Sequence, residues 1–68
     1  MKNTIKIERA RHNLTQGDVA EKIGVSRQSI NAIEKGKYVP STVLAIKIAQ
    51  LFKLSVEELF FLEEGEEL

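Results

Sequence analysis

Apolar residues along the chain recur at helical intervals, and no stretch alternates over the length of a strand. The pattern predicts a first helix over about residues 4–12, with Asn3 as its N-cap and Asn13 and Leu14 turning the chain. A second helix opens at Thr15, where Asp18, three residues later, completes a variant of the capping box. Val19, Ala20 and Ile23 form its inner face, and Gly24 ends it, as glycine does where a helix must close in a left-handed conformation. Val25 fills the turn. Ser26 then caps a third helix over about residues 27–35, ended by Gly36. That helix carries a narrow apolar stripe, Ile30 and Ile33; Arg27, Gln28, Ser29, Asn31, Glu34 and Lys35 are polar.

Residues 37–40 read as a loop, and Ser41 caps a fourth helix over about residues 42–53. Its apolar positions are so dense, from Val43 through Phe52, that burial on more than one side is expected. Ser55-Val56-Glu57-Glu58 is a full capping box and starts a short fifth helix through about Phe60. Neither an internal repeat nor a linker interrupts the pattern. The expectation is an all-α, compact five-helix domain. Residues 1–2 can add a short strand beside residues 61–63.

Composition narrows the function. With 68 residues the chain is one domain, near the lower size limit for a self-sufficient core. A 43% apolar content is globular, and no run approaches the ~20 apolar residues of a membrane span. Residues 1–4 lead straight into the helical pattern, so no signal peptide is read and a cytoplasmic protein is expected. There is no cysteine, so neither a disulfide nor a thiolate metal site can brace the fold. Domains this small often gain stability by dimerising. His12 has no second ligand type nearby and reads as a surface residue, so no metal site is expected. One histidine, no phosphate loop and no carboxylates clustered on an apolar surface argue against an enzyme or a bound cofactor.

The formal net charge of zero hides a division. Residues 1–56 hold all ten basic residues and four acids, leaving +6; residues 57–68 hold the other six acids and no base. The body is basic and the tail acidic, and such asymmetry says more about partners than the total does.

Two short helices joined by a turn containing glycine define a helix-turn-helix. Counting Gln16 as position 1, the small residue needed at position 5, where the helices cross, is Ala20. The turn glycine at position 9 is Gly24. The apolar residues that hold the pair at its angle, at positions 4, 8, 10, 15 and 18, are Val19, Ile23, Val25, Ile30 and Ile33. An ordinary helical hairpin does not require this register.

Over about residues 3–60 the chain resembles the phage repressor and Cro (XRE) family of helix-turn-helix regulators. The resemblance implies a lambda-repressor-like five-helix domain, usually dimeric, whose third helix enters the major groove of double-stranded DNA. It places Arg27, Gln28 and Asn31 against the bases and Gln16 against a phosphate. Lys35, Lys37 and Tyr38 fall near the DNA backbone, and Ser26 and Ser29 are taken as further backbone contacts. It also implies a structural ion pair between Arg9 and Glu34. Two residues depart from the pattern. Gly17, in the first turn of the second helix, should cost on the order of 1 kcal/mol against alanine. Glu8 stands where an apolar residue is common, and Ile7 is expected to supply the apolar group instead.

The residue types favour base reading on their own account. The third helix has no acid in its first turn, and a cation there opposes the helix dipole by ~0.3–1 kcal/mol. Arg27 therefore sits against the stability rule, and a polyanion relieves the conflict. Arginine grips guanine bidentately; glutamine and asparagine do the same to adenine. Leu59, Phe60, Phe61 and Leu62 are expected to form a dimer contact, since little core remains to cover them. Residues 1–62 then form a DNA-binding domain with a C-terminal dimerisation segment, and residues 63–68 a solvated acidic tail that keeps this side off DNA.

The function expected is a sequence-specific, homodimeric transcriptional repressor reading an inverted repeat. Repression would follow from occluding polymerase, and no small-molecule effector site is evident. The rival is a protein-partner-binding module, of antitoxin or bridging-factor type, using the apolar C-terminal segment.

Overall fold

A computed structural model describes all residues, Met1–Leu68. In chain order the elements are β1 (Lys2–Asn3), α1 (Ile5–Arg11), α2 (Gln16–Ile23), α3 (Arg27–Glu34), α4 (Thr42–Leu51), α5 (Val56–Leu59) and β2 (Phe60–Phe61). α2 packs on α3, α4 lies against α2, and α5 closes on α4. The side chains of Ile5, Val19, Ile30, Ile33, Ile48 and Leu59 are fully buried where these elements meet.

Side-chain caps start four of the helices. Thr15 Oγ1 accepts the Asp18 N–H at 3.0 Å while Asp18 Oδ2 accepts the Thr15 N–H at 2.9 Å. Ser55 and Glu58 repeat the arrangement at 3.2 and 2.9 Å. Ser26 accepts the Ser29 N–H at 3.1 Å and Ser41 accepts the Leu44 N–H at 3.2 Å. Each satisfies N–H groups that have no partner inside the helix.

Four helices end alike. The chain turns left-handed at Asn13, Gly24, Gly36 and Lys53, with φ of 54°, 87°, 73° and 58°. The next N–H then reaches back five residues: Leu14 to Arg9, Val25 to Ala20, Lys37 to Ala32 and Leu54 to Ala49, at 2.9–3.0 Å. This is the Schellman closure, usually completed by an apolar contact from the residue after the turn. Leu14, Val25 and Leu54 make that contact with the core. Lys37 is exposed.

Several expectations change. α1 begins after Thr4, which makes no side-chain cap; Asn3 Oδ1 instead accepts the Ile5 N–H at 3.1 Å. The strand pair is antiparallel, with Lys2 opposite Phe61 and Asn3 opposite Phe60, one residue away from the expected pairing. Ile7 is 54% exposed, whereas Glu8 is 7% exposed and its Oε2 accepts from Arg11 NH1 at 3.1 Å. Seven residues make barely two turns, and Ile5 already fills the inward position one turn before Glu8. α4 is covered on one side only: Val43 and Ile46 face solvent, because a domain this small has no second layer to cover them. Leu59 and Phe60 lie in the core of the chain itself, which corrects their expected place in a dimer contact; Phe61 and Leu62 remain exposed. His12 packs tilted on Phe52, with ring centroids 5.3 Å apart. No helix is long and apolar enough to cross a membrane.

Candidate nucleic-acid interface

α3 is amphipathic in the simplest way. Ile30 and Ile33 lock one side into the core, so the opposite side is held rigidly at the surface. Arg27 and Gln28 are exposed there, and Asn31 is half-buried. With Gln16 from the start of α2, these three line a shallow depression that contains no apolar side chain. A second open depression, sharing Gln16 and Arg27, is lined by Arg9, Leu14, Thr15 and Gly17. A third joins Lys6, Arg9, Gln16, Asn31, Glu34 and Lys35. Gln16 is common to all three, so the two helix N-termini and the outer side of α3 form one continuous polar surface.

Its floor is a hydrogen-bonded chain. Arg9 Nε donates to Glu34 Oε2 at 2.6 Å and Arg9 NH2 donates to Glu34 Oε1 at 3.0 Å, a bidentate pair between α1 and α3. Arg9 NH1 also donates to the Leu14 carbonyl at 3.2 Å. The pair is largely buried, and the hydrogen bonds to Glu34 raise the Arg9 pKa above its ordinary value. Gln16 Nε2 donates both to Glu34 Oε1 and to Asn31 Oδ1, each at 3.2 Å. The side-chain amide of Gln16 is thus turned inward, and its backbone N–H is what it offers at the helix terminus. Ser26 and Ser29 face each other across the α3 N-terminus, with their hydroxyls 2.9 Å apart.

The sequence matches the family model described as Helix-turn-helix over residues 5–59. The chain belongs to the XRE-type helix-turn-helix family. It is similar to an uncharacterized HTH-type transcriptional regulator of Methanocaldococcus jannaschii, 59% identical over 97% of this chain and 100% of that one. An uncharacterized HTH-type transcriptional regulator of Bacillus subtilis is 50% identical over 94% of this chain and 97% of its own. At greater distance, the ImmF control region 10 kDa protein of Bacillus phage phi105 is 36% identical over 90% of this chain and 73% of its own.

In this helix-turn-helix domain the end of α3 carries a further cation. Lys37 occupies the position after the left-handed turn that is apolar at the other three helix ends. It therefore gives up the core contact that Leu14, Val25 and Leu54 make at the other three ends. Gly36 makes the turn possible twice over, since its φ is 73° and a Cβ there would lie 3.3 Å from the Met1 carbonyl oxygen. Lys35, Lys37 and Tyr38 are all exposed around this turn. Lys6, absent from the residues expected from the sequence, lines the same depression as Lys35, because Ile7 and not Glu8 is the exposed neighbour on α1.

Proposed function

We propose that this chain is a homodimeric, sequence-specific transcriptional repressor that reads an inverted-repeat operator with α3 in the major groove of double-stranded DNA. The observation that carries the reading is the outer side of α3. Three side chains able to read base edges stand together on a helix whose inner side is fixed in the core, with no acid in its first turn. Arg27, Gln28 and Asn31 read the bases. Ser26, Ser29, Lys35, Lys37, Tyr38 and the backbone N–H of Gln16 hold phosphates, which orient the domain without specifying sequence. Phe61 and Leu62, exposed on the C-terminal segment, meet a second copy of the chain. The likeness to a phage protein named for a control region supports repression.

Selection from a random duplex library at physiological salt tests the whole reading. The expected pool is an inverted repeat with half-site centres ~34–36 Å apart, one turn of DNA. A pool no different from the input overturns it. The exposed apolar residues Val43, Ile46, Phe61 and Leu62 then favour a module whose main target is a protein.

A further inference from the structure

The chain from Arg9 to Asn31 has only one consistent polarity. Arginine can only donate and a carboxylate can only accept, so Glu34, gripped by Arg9, offers nothing but oxygen to its neighbours. The Gln16 amide must turn its NH2 toward Glu34 Oε1; its oxygen there would face an oxygen. The second N–H of the same NH2 points at Asn31, 3.2 Å away. Asn31 must therefore turn its oxygen inward to accept. Its own NH2, the other arm of the amide, is left outward. That nitrogen makes no hydrogen bond, and no buried side-chain nitrogen or oxygen lacks a partner, so it is open to solvent, on a residue that lines the depression with Arg27 and Gln28 and the one with Lys6 and Lys35.

We propose that the Arg9–Glu34 ion pair, acting through Gln16 as a positioning residue, fixes the Asn31 amide with its NH2 outward and so makes Asn31 a selector of acceptor-bearing base edges. The inference rests on the reading of α3 as the groove helix. A fixed outward donor donates to guanine N7 or O6, adenine N7 or thymine O4, and disfavours cytosine, whose major-groove edge presents the N4 donor. An asparagine free to flip its amide turns its oxygen out and tolerates cytosine. Gln16 thereby shapes specificity at a base it does not touch. The ion pair, which looks purely structural, sets the sign of a hydrogen bond at the far end of the relay.

Four variants test this against the selected operator: Asn31→Ala, Gln16→Ala, Glu34→Gln and Asn31→Asp. Thermal melting first establishes that each is folded. All four bases are placed in turn at every operator position. Asn31→Ala locates its base as the position at which preference disappears. There the wild-type chain should bind the cytosine duplex about tenfold more weakly than the best base, as expected for loss of one base contact. Gln16→Ala, which leaves the ion pair in place, should shrink that penalty to under about threefold and leave other positions unchanged. Glu34→Gln, whose amide can present either end to Gln16, should act in the same direction. Asn31→Asp, which can only accept, should make cytosine the preferred base. The relay is overturned if Gln16→Ala keeps the cytosine penalty at Asn31's position. It is also overturned if that variant weakens all duplexes equally, which would make the Gln16 side chain itself a contact to the DNA backbone. Failure of the underlying reading looks different: Asn31→Ala then alters preference at no position.

Discussion

The side-chain amide of Asn3 donates to the carbonyl of Ile33 at 2.9 Å, thirty positions along the chain. Its oxygen accepts the Ile5 N–H at 3.1 Å. One residue thus satisfies the end of α3 and the start of α1. The α3 terminus is tied to the β1–β2 pair on the same side as Gly36, where Met1 crosses.

Asn3→Ala removes both bonds and should cost about 1–2 kcal/mol, the range for losing a cap and a partly buried hydrogen bond. For a domain of this size that lowers the thermal midpoint by roughly 4–8 °C per kcal/mol. Asn3→Asp keeps the acceptor and loses the donor, so its midpoint should fall between. An unchanged midpoint in Asn3→Ala would show that the tie is not used.

Two glycine exchanges should both stabilise. Nothing lies closer than 3.7 Å to a Cβ added at Gly17, so Gly17→Ala meets ordinary contacts in a helix and should add about 0.5–1 kcal/mol. Lys53 sits at φ 58°, a conformation costing a side-chain-bearing residue about 1–2 kcal/mol, so Lys53→Gly should gain part of that. Urea midpoints read both. Gly24→Ala, at φ 87°, should move the other way.

Acid should loosen the fold through its capping boxes. The backbone N–H of Thr15 holds the Asp18 carboxyl below its ordinary value of 3.8, and that of Ser55 holds Glu58 below 4.5. Both groups are depressed in the folded state. Their contribution is complete above the unfolded values and is lost as pH falls through the folded ones. The thermal midpoint should therefore be insensitive to these groups from pH 7 to about 5 and decline below about 4.5. Asp18→Asn and Glu58→Gln should each flatten the decline. An equally steep decline in the double variant would place the acid sensitivity elsewhere.

Much of this was legible in the sequence because local chemistry decided it. Thr15 with Asp18 and Ser55 with Glu58 carry their own hydrogen-bond partners three residues away, and Gly24 and Gly36 mark turns that few residues make. What was not legible depended on contacts between distant segments. Ile7 and Glu8 differ by one step on a seven-residue helix, and only the position of the strand pair and α3 decides which turns inward. In Leu59-Phe60-Phe61-Leu62, four apolar residues in a row hide the change from helix to strand that buries the first two and exposes the others. The inward turn of the Gln16 amide follows from Glu34, eighteen positions on, and no local pattern announces it.

Phe61 is 42% exposed on β2, and Phe61→Glu should weaken self-association without unfolding the protomer. Sedimentation across a concentration series reads the shift toward monomer, and melting of the dilute protein should be unchanged. An unaltered dimer would remove the C-terminal segment from the interface.

The most direct test of the account is the affinity of Arg27→Ala for the selected operator and for every single-base change within it. Loss of the operator complex by ~1–3 kcal/mol, with preference erased at one base position and kept at the others, is the predicted result. A uniform loss across all sequences, with a shallower dependence on salt, would contradict it: Arg27 would then hold only phosphate, and α3 would not be reading bases there.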